Sequence, residues 1–168
     1  MTQPVQRFTV LSRVLHWLMA LLILTMLFIG IGMVSTISPK YHELLSVHRS
    51  LGMVILMLVA IRLVNRLLTR QPPLPTDLPT WQQNLAKASH FILYALMFAL
   101  PLVGWSMLSA GGYPILVFGT VQLPAILPHD VALFAVLRRT HTIMALLLFA
   151  VSSIRTPTNS KLRKPSVG

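Results

Sequence analysis

Residues Val14 to Val34 read VLHWLMALLILTMLFIGIGMV, and this one run limits what kind of protein the chain can be. It contains no formally charged side chain, and a helix needs about 20 such apolar residues to cross a hydrocarbon layer of about 30 Å. Further apolar runs follow at 47–68, 86–108 and 140–154. We therefore predict an all-α fold, an integral membrane four-helix bundle, with helices at 14–34 and at these three positions.

The composition excludes two other classes of protein. Of the 168 residues, 55% are hydrophobic and 10% are charged, whereas a soluble globular domain has roughly 25% charged residues. A disordered chain would contain far fewer apolar residues than this one. Because the chain has no cysteine, it has no disulfide, thiolate metal site, iron–sulfur cluster or covalently attached haem.

The charge is strongly positive, since 14 Lys and Arg against 3 Asp and Glu give a formal net charge of +11. In a soluble protein this excess would suggest a nucleic-acid partner. Here the charges lie at the ends of the apolar runs, so membrane topology explains them and we expect no nucleic-acid partner. If each run crosses the membrane, the side of the N-terminus holds most of the 14, which predicts that both termini are cytoplasmic. These residues are Arg7, Arg13, Arg62, Arg66, Arg70, Lys87, Arg155, Lys161, Arg163 and Lys164.

The last run is the shortest of the four. Counted from Thr140 to Ile154, it would be only about 21 Å long at 1.5 Å per residue. We expect a fourth helix too short to span, with a separate short helix at Val131–Leu137 ahead of it. A single membrane domain then covers residues 1–155. The polar, basic tail at 156–168 is expected to be disordered, and a truncated or frameshifted gene would produce such a tail.

Two connections between the runs have their own composition. The first, QPPLPTDLPTW at 71–81, is rich in proline and predicts a stiff, extended link. The second, GGYPILVFGTVQLPAILPHD at 111–130, is apolar but interrupted by Gly and Pro. We interpret it as an irregular cap that lies at the outer membrane interface.

Four of the six histidines lie within the first few residues of the four runs. They are His16, His48, His90 and His141. An ionisable group inside a membrane span is a functional-site candidate, because burying it without a partner is costly. Two facing imidazoles can occupy both axial positions of a haem iron. The alternative is that each histidine is an interfacial residue, bonded to a headgroup or a carbonyl.

Topology sorts these histidines by depth in the membrane. His16 and His90 begin runs that start inside, so they lie near one face, while His48 and His141 begin runs that start outside. Two pairs at two depths would suit two haems.

An arginine lies on the same helix face as one of these histidines. Arg62 follows His48 by nearly four helical turns, so both point the same way about 21 Å apart. The guanidinium could pair with a haem propionate or with an anionic quinone. The alternative is that it extends to a lipid phosphate. That alternative is favoured for Arg66 one turn further on, whereas for Arg62 both interpretations stay open.

The order of several short stretches resembles one known family. The stretches are LHW at 15–17, HRSLGMVILMLVAIRLVNRL at 48–67, PPLP at 72–75, SHFILYALMFALPLVGW at 89–105, VFG at 117–119, and His141. In this order and spacing they resemble the bacterial cytochrome b561 family. Its members are small four-helix proteins of the inner membrane that bind two haems b.

The resemblance implies which residues ligate haem iron. One haem would lie between His48 and His141. The other would lie between His16 and a second histidine of the fourth helix, near position 155, where this chain has Arg155. We therefore expect one complete haem b site and one site that lacks a ligand. Depth alone would pair His16 with His90. His90 is therefore the one histidine at the same depth that could replace the missing ligand.

The resemblance also implies a function. It implies haem-dependent electron transfer with exchange of electrons with a quinone pool, either as a simple carrier or as a quinone-linked oxidoreductase. The partners would be membrane lipids, quinone, a redox partner protein and a second copy of the chain. The alternative is a haem-bearing membrane anchor subunit of a peripheral dehydrogenase or hydrogenase. A transporter or adaptor without a cofactor is less consistent with spans that contain few polar groups. A non-functional remnant is a fourth alternative, given the tail.

Overall fold

The computed structural model describes residues 9–69 and 79–153. Within these ranges the chain forms four helices and one short hairpin. The elements are α1 (Val10–Ser35), α2 (Lys40–Leu68), α3 (Thr80–Ala110), β1 (Ile115–Val117), β2 (Val121–Leu123) and α4 (Val131–Ser153). The predicted four-helix membrane bundle is confirmed, with a small two-stranded sheet in addition. The predicted proline-rich link, Arg155 and the basic tail lie outside the described residues.

All four helices are long and apolar enough to cross a membrane. Only 6% to 17% of the residues in their most apolar segments are buried within the bundle, so large side chains such as Phe28, Phe91 and Leu146 point outward. Exposing this surface to water would cost about 25 cal/mol per Å² of apolar area. The outward faces are therefore suited to lipid, and the protein is a multi-pass membrane protein.

The first three helices begin earlier than the apolar runs predict, at Val10, Lys40 and Thr80. Hydropathy marks only the part of a helix that crosses hydrocarbon, whereas the backbone continues as helix into polar turns. Local signals set these earlier starts. The Thr9 hydroxyl accepts a hydrogen bond from the Ser12 amide at 3.2 Å and caps α1. Prolines precede α2 and α3, where their fixed φ suits a helix start.

The fourth helix corrects the prediction of a span that is too short. It begins at Val131, includes the segment expected to be a separate short helix, and continues to Ser153 as 23 residues. This length corresponds to about 34 Å, although α4 is still the shortest of the four helices. Arg138 and Arg139 interrupt the run of hydropathy but not the backbone helix. Asp130 marks the true start, because its carboxylate accepts the Leu133 amide at 2.9 Å.

The segment expected to be an irregular cap contains a hairpin instead. β1 and β2 pair antiparallel, with Val117 opposite Val121. The turn between them uses positive φ at Phe118 (54°) and Gly119 (72°), as tight hairpin turns require. The hairpin lies against α2, since the Phe118 amide donates to the Ser50 hydroxyl at 2.8 Å. Two strands of three residues each are too short to show a periodic pattern in the sequence.

The helices pack mainly as two neighbouring pairs. α1 packs along α2 and α3 packs along α4, while α2 and α3 join the two pairs. The core of the described bundle lies where α1, α2 and α3 meet, around Met19, Ile55 and Val59. At one end, the Trp105 indole donates to the Pro124 carbonyl at 2.9 Å and fastens the connection to α3. This arrangement brings α2 and α4 close together at one level, where the candidate site lies.

Candidate functional site

The first group of interest is a pair of histidines from separate helices, here called the histidine pair: His48 on α2 and His141 on α4. Their ring centres are 6.1 Å apart, and the ring planes are inclined by 65°. Both residues are partly buried. The structure therefore brings together two side chains that are far apart in sequence and that depth predicted to be neighbours.

The separation of the histidine pair suits two ligands of one metal ion. A metal–imidazole bond is about 2 Å long, and the ring nitrogen lies about 1 Å from the ring centre, so two axial rings stand about 6 Å apart. The observed 6.1 Å matches this value. An angle between the ring planes is compatible with axial ligation, because each ring can turn about its own bond to the metal.

The hydrogen bonding of the histidine pair is also consistent with metal binding. Among the described residues, the buried Nδ1 atoms of His48 and His141 have no well-formed hydrogen-bond partner. The His141 imidazole also interacts with the Leu100 backbone. A metal-binding imidazole commonly points one N–H at a backbone carbonyl and presents its other nitrogen to the metal. The pair therefore has the donor chemistry of an axial ligand set.

Two nitrogens alone do not complete a metal site made of protein. In the ranges 9–69 and 79–153, no group of three or more His, Cys, Asp or Glu residues could hold a metal ion. A metal held by the histidine pair would have to bring its remaining ligands with it, as the iron of haem does with its porphyrin. The residues present therefore fit a haem better than a bare ion.

A glycine of α3 makes room for one ring of the pair. A Cβ added at Gly104 would lie 3.4 Å from Cε1 and 3.6 Å from Nδ1 of His141. The α3 backbone thus approaches the ring so closely that even a methyl group at this position would be in van der Waals contact with it. Sequence reasoning did not identify Gly104, because its role depends on a contact between two helices.

A second group, here called the arginine cluster, consists of His16 on α1, Arg62 on α2 and Tyr94 on α3. The Arg62 Nε donates to the Tyr94 hydroxyl at 3.0 Å, and Nη2 lies 3.2 Å from His16 Nδ1. The Arg62 Nη1 is buried and has no partner among the described residues. Arg62 therefore points into the bundle, whereas exposed Arg66 lies over the Tyr94 ring at 5.4 Å.

The contact with Arg62 determines which nitrogen of His16 is available. Because a guanidinium can only donate, His16 Nδ1 must accept, and the proton of the neutral ring is then on Nε2. In this arrangement His16 has no exposed lone pair with which to bind iron through Nε2. The sequence did not predict Tyr94 as a member of this group, since nothing near Tyr94 in the sequence indicates a contact with Arg62.

His90 lies near this cluster, as depth predicted, and interacts electrostatically with His16. Its Nδ1 donates to the Ala86 carbonyl at 2.6 Å, which leaves Nε2 as a lone-pair donor. His16 and His90 therefore differ in the nitrogen they offer. The structure brings the two residues to one level of the bundle but engages His16 with Arg62.

The fold and the histidine pair together define a class: a membrane-spanning helical bundle in which two imidazoles from separate helices lie at a separation that suits two ligands of one metal ion. Residues 7–154 match the family described as prokaryotic cytochrome b561. The chain belongs to the prokaryotic cytochrome b561 family, which confirms the resemblance seen in the sequence. Haem b binding and haem-dependent electron transfer in a membrane follow from this membership. The match ends at 154, before the basic tail.

Two curated relatives are similar to the chain. Cytochrome b561 homolog 2 of Escherichia coli (strain K12) is 36% identical over 129 residues, which cover 75% of this chain and 68% of that protein. A Yersinia pestis protein named "Probable superoxide oxidase CybB" is 26% identical over 118 residues, which cover 70% of this chain and 66% of that protein.

The contact at Gly104 generates a prediction. Replacing Gly104 by Val places branched carbon against the His141 ring, so we expect the ring to be displaced and haem affinity to fall by about tenfold or more. Gly30→Val is the matched control, because a Cβ at Gly30 meets nothing within 4 Å. The measurement is the ratio of Soret to protein absorbance after purification. Equal ratios in the two variants would contradict the assignment of His141.

Proposed function

We propose that the chain holds one haem b between His48 and His141 and transfers single electrons through it within the bacterial inner membrane. The observation that carries the proposal is the 6.1 Å separation of the two rings. The family membership adds support, as do the buried Nδ1 atoms of the pair, which make no well-formed hydrogen bond among the described residues. The haem is not covalently attached, since the chain has no cysteine.

The residues around the pair would favour electron transfer over ligand chemistry. When bound, haem supplies a one-electron couple whose potential depends on its axial ligands and its surroundings. Two histidines, one from each side, would leave the iron no open position for an exogenous ligand. The apolar helices that hold the two imidazoles would exclude water and stabilise the neutral rings. The protein thus fixes position and ligand identity, while the cofactor supplies the redox chemistry.

The same reasoning favours one haem rather than two. The resemblance implies a second histidine of the fourth helix near position 155, where this chain has Arg155, which lies outside the described residues. His16 itself accepts a hydrogen bond from Arg62, which directs its proton to the nitrogen that would bind iron. His90 is the alternative partner for His16, and a second haem held by these two residues is the rival arrangement.

Quinone exchange is the second part of the proposal. The buried Nη1 of Arg62, which has no partner in the described part of the chain, could donate to a quinone oxygen, and a cation there would stabilise an anionic quinone state. Arg62 is about 21 Å from His48 along α2.

The haem count is the first prediction from this proposal. We expect one haem per chain in a pyridine haemochrome assay. We expect it to be lost in His48→Ala and in His141→Ala, because each change removes an axial ligand, and kept in His16→Ala and His90→Ala. Circular dichroism of each variant shows whether the helices persist. Two haems per chain would contradict the one-haem proposal, and if both survive His90→Ala, the rival pairing of His16 with His90 fails as well.

The role of Arg62 gives a second prediction. In Arg62→Gln we expect quinone reduction by the reduced protein to slow by about tenfold, since a charged hydrogen bond contributes about 1.5–3 kcal/mol. Arg66→Gln, which alters an exposed arginine one turn away, is the control with an unchanged rate. The measurement is stopped-flow oxidation of the reduced haem by a soluble quinone. If Arg62→Gln lowers the haem content instead, Arg62 contacts a haem rather than quinone.

Orientation gives the third prediction. We propose that both termini are cytoplasmic, so the α1–α2 connection should face the periplasm. The chain has no cysteine, which allows a single one to be introduced at Ser38 in that connection or at Asn84 near the start of α3. A membrane-impermeant maleimide added to spheroplasts should label Ser38→Cys but label Asn84→Cys only after lysis. The opposite pattern would reverse the assigned topology.

A further inference from the structure

A partly buried arginine directly follows one residue of the histidine pair. Arg49 extends from α2 toward the hairpin, and its Nη1 donates to the Pro114 carbonyl at 2.8 Å. Its Nε is buried and has no hydrogen-bond partner among the described residues. The Nη1 atom of the guanidinium is thus held by a hydrogen bond, while the Nε donor stays unpaired among the described residues.

This guanidinium needs an anion that the described protein does not supply. An arginine stays protonated in proteins, and a partly buried cation such as Arg49 is stabilised by a nearby counter-charge. The whole chain has only 3 acidic residues, and two of them, Glu43 and Asp130, lie in the described ranges. Neither pairs with Arg49 there, and the Asp130 carboxylate instead caps α4.

We propose that Arg49 binds a propionate of the haem held by His48 and His141. The inference rests on the proposed haem site. A haem b placed one residue away would bring two carboxylates at the edge of its macrocycle, and one of them would provide the missing anion. A charge-assisted bond between guanidinium and carboxylate is among the strongest hydrogen bonds in proteins.

The pairing would also affect the redox equilibrium. Reduction removes one positive charge from the iron centre, so a cation nearby favours the reduced state. Arg49 would therefore raise the reduction potential of the haem, in addition to fixing the orientation of its propionate. Removing the charge should lower the potential.

A purely structural role for Arg49 is the competing explanation. Arg49 fastens the hairpin to α2 through Pro114, and Ser50 does so through the Phe118 amide. Losing either bond could loosen the hairpin and disturb the haem indirectly. The two explanations differ in one respect, because only Arg49 contributes a charge.

Redox titration of the purified, haem-loaded protein separates the two explanations. We expect Arg49→Gln to shift the reduction equilibrium about tenfold toward the oxidised state, which is about 59 mV for a one-electron couple. Arg49→Lys, which keeps the charge, should retain most of the wild-type potential. Ser50→Ala loosens the hairpin without a charge change, and Arg139→Gln removes an exposed arginine near His141. Both should leave the potential unchanged.

Each of the other outcomes of the titration also decides between the two explanations. If Arg49→Gln and Ser50→Ala lower the potential equally, the role of Arg49 is structural and the proposal fails. If only Arg139→Gln lowers it, the propionate partner lies on α4 and the proposal also fails. If Arg49→Gln does not retain haem, the reduction potentials of Arg49→Lys and Ser50→Ala still distinguish a role of the Arg49 charge from a role in anchoring the hairpin. A wild-type protein that binds no haem would overturn the proposed function itself.

Discussion

A polar side chain inside a hydrocarbon layer cannot be satisfied by water, so it needs a partner within the bundle or in a bound cofactor. This constraint accounts for each polar group of interest in the described chain. Two nitrogens of Arg62 bond to Tyr94 and His16, whereas its buried Nη1 has no partner there. The histidine pair and Arg49 keep unpartnered buried nitrogens. The protein atoms alone thus satisfy the arginine cluster in part, and they leave the histidine pair and Arg49 with buried nitrogens that a bound haem would be expected to engage.

Most of the fold could be predicted from hydropathy, because a hydrocarbon layer sets both the length and the composition of a span. The four helices are where the apolar runs indicated. Hydropathy did not predict the helical turns that lie outside the hydrocarbon layer. It also did not predict that α4 continues as a helix through the charged residues Arg138 and Arg139. The hairpin was missed for another reason: its two strands depend on contacts with α2, which lies far away in the sequence.

The candidate site could likewise be predicted only in part. His48 and His141 could be paired from the sequence, because membrane depth restricts which residues of separate helices can meet. The direction of Arg62 followed from helical phase. Gly104, Tyr94 and Arg49 could not be found this way, since each acts through a contact between distant segments. Whether a peripheral subunit or a second copy docks on the bundle stays a prediction.

The division of the bundle into two helix pairs has a consequence for biogenesis. α4 packs along α3, and its histidine faces α2 across the interval between the rings. Because α2 and α3 already pack together, a haem held by both histidines would add a second connection between the two helix pairs. Chains that have not yet bound haem would therefore be less stable than the mature protein, because a ligand that binds only the folded state stabilises that state.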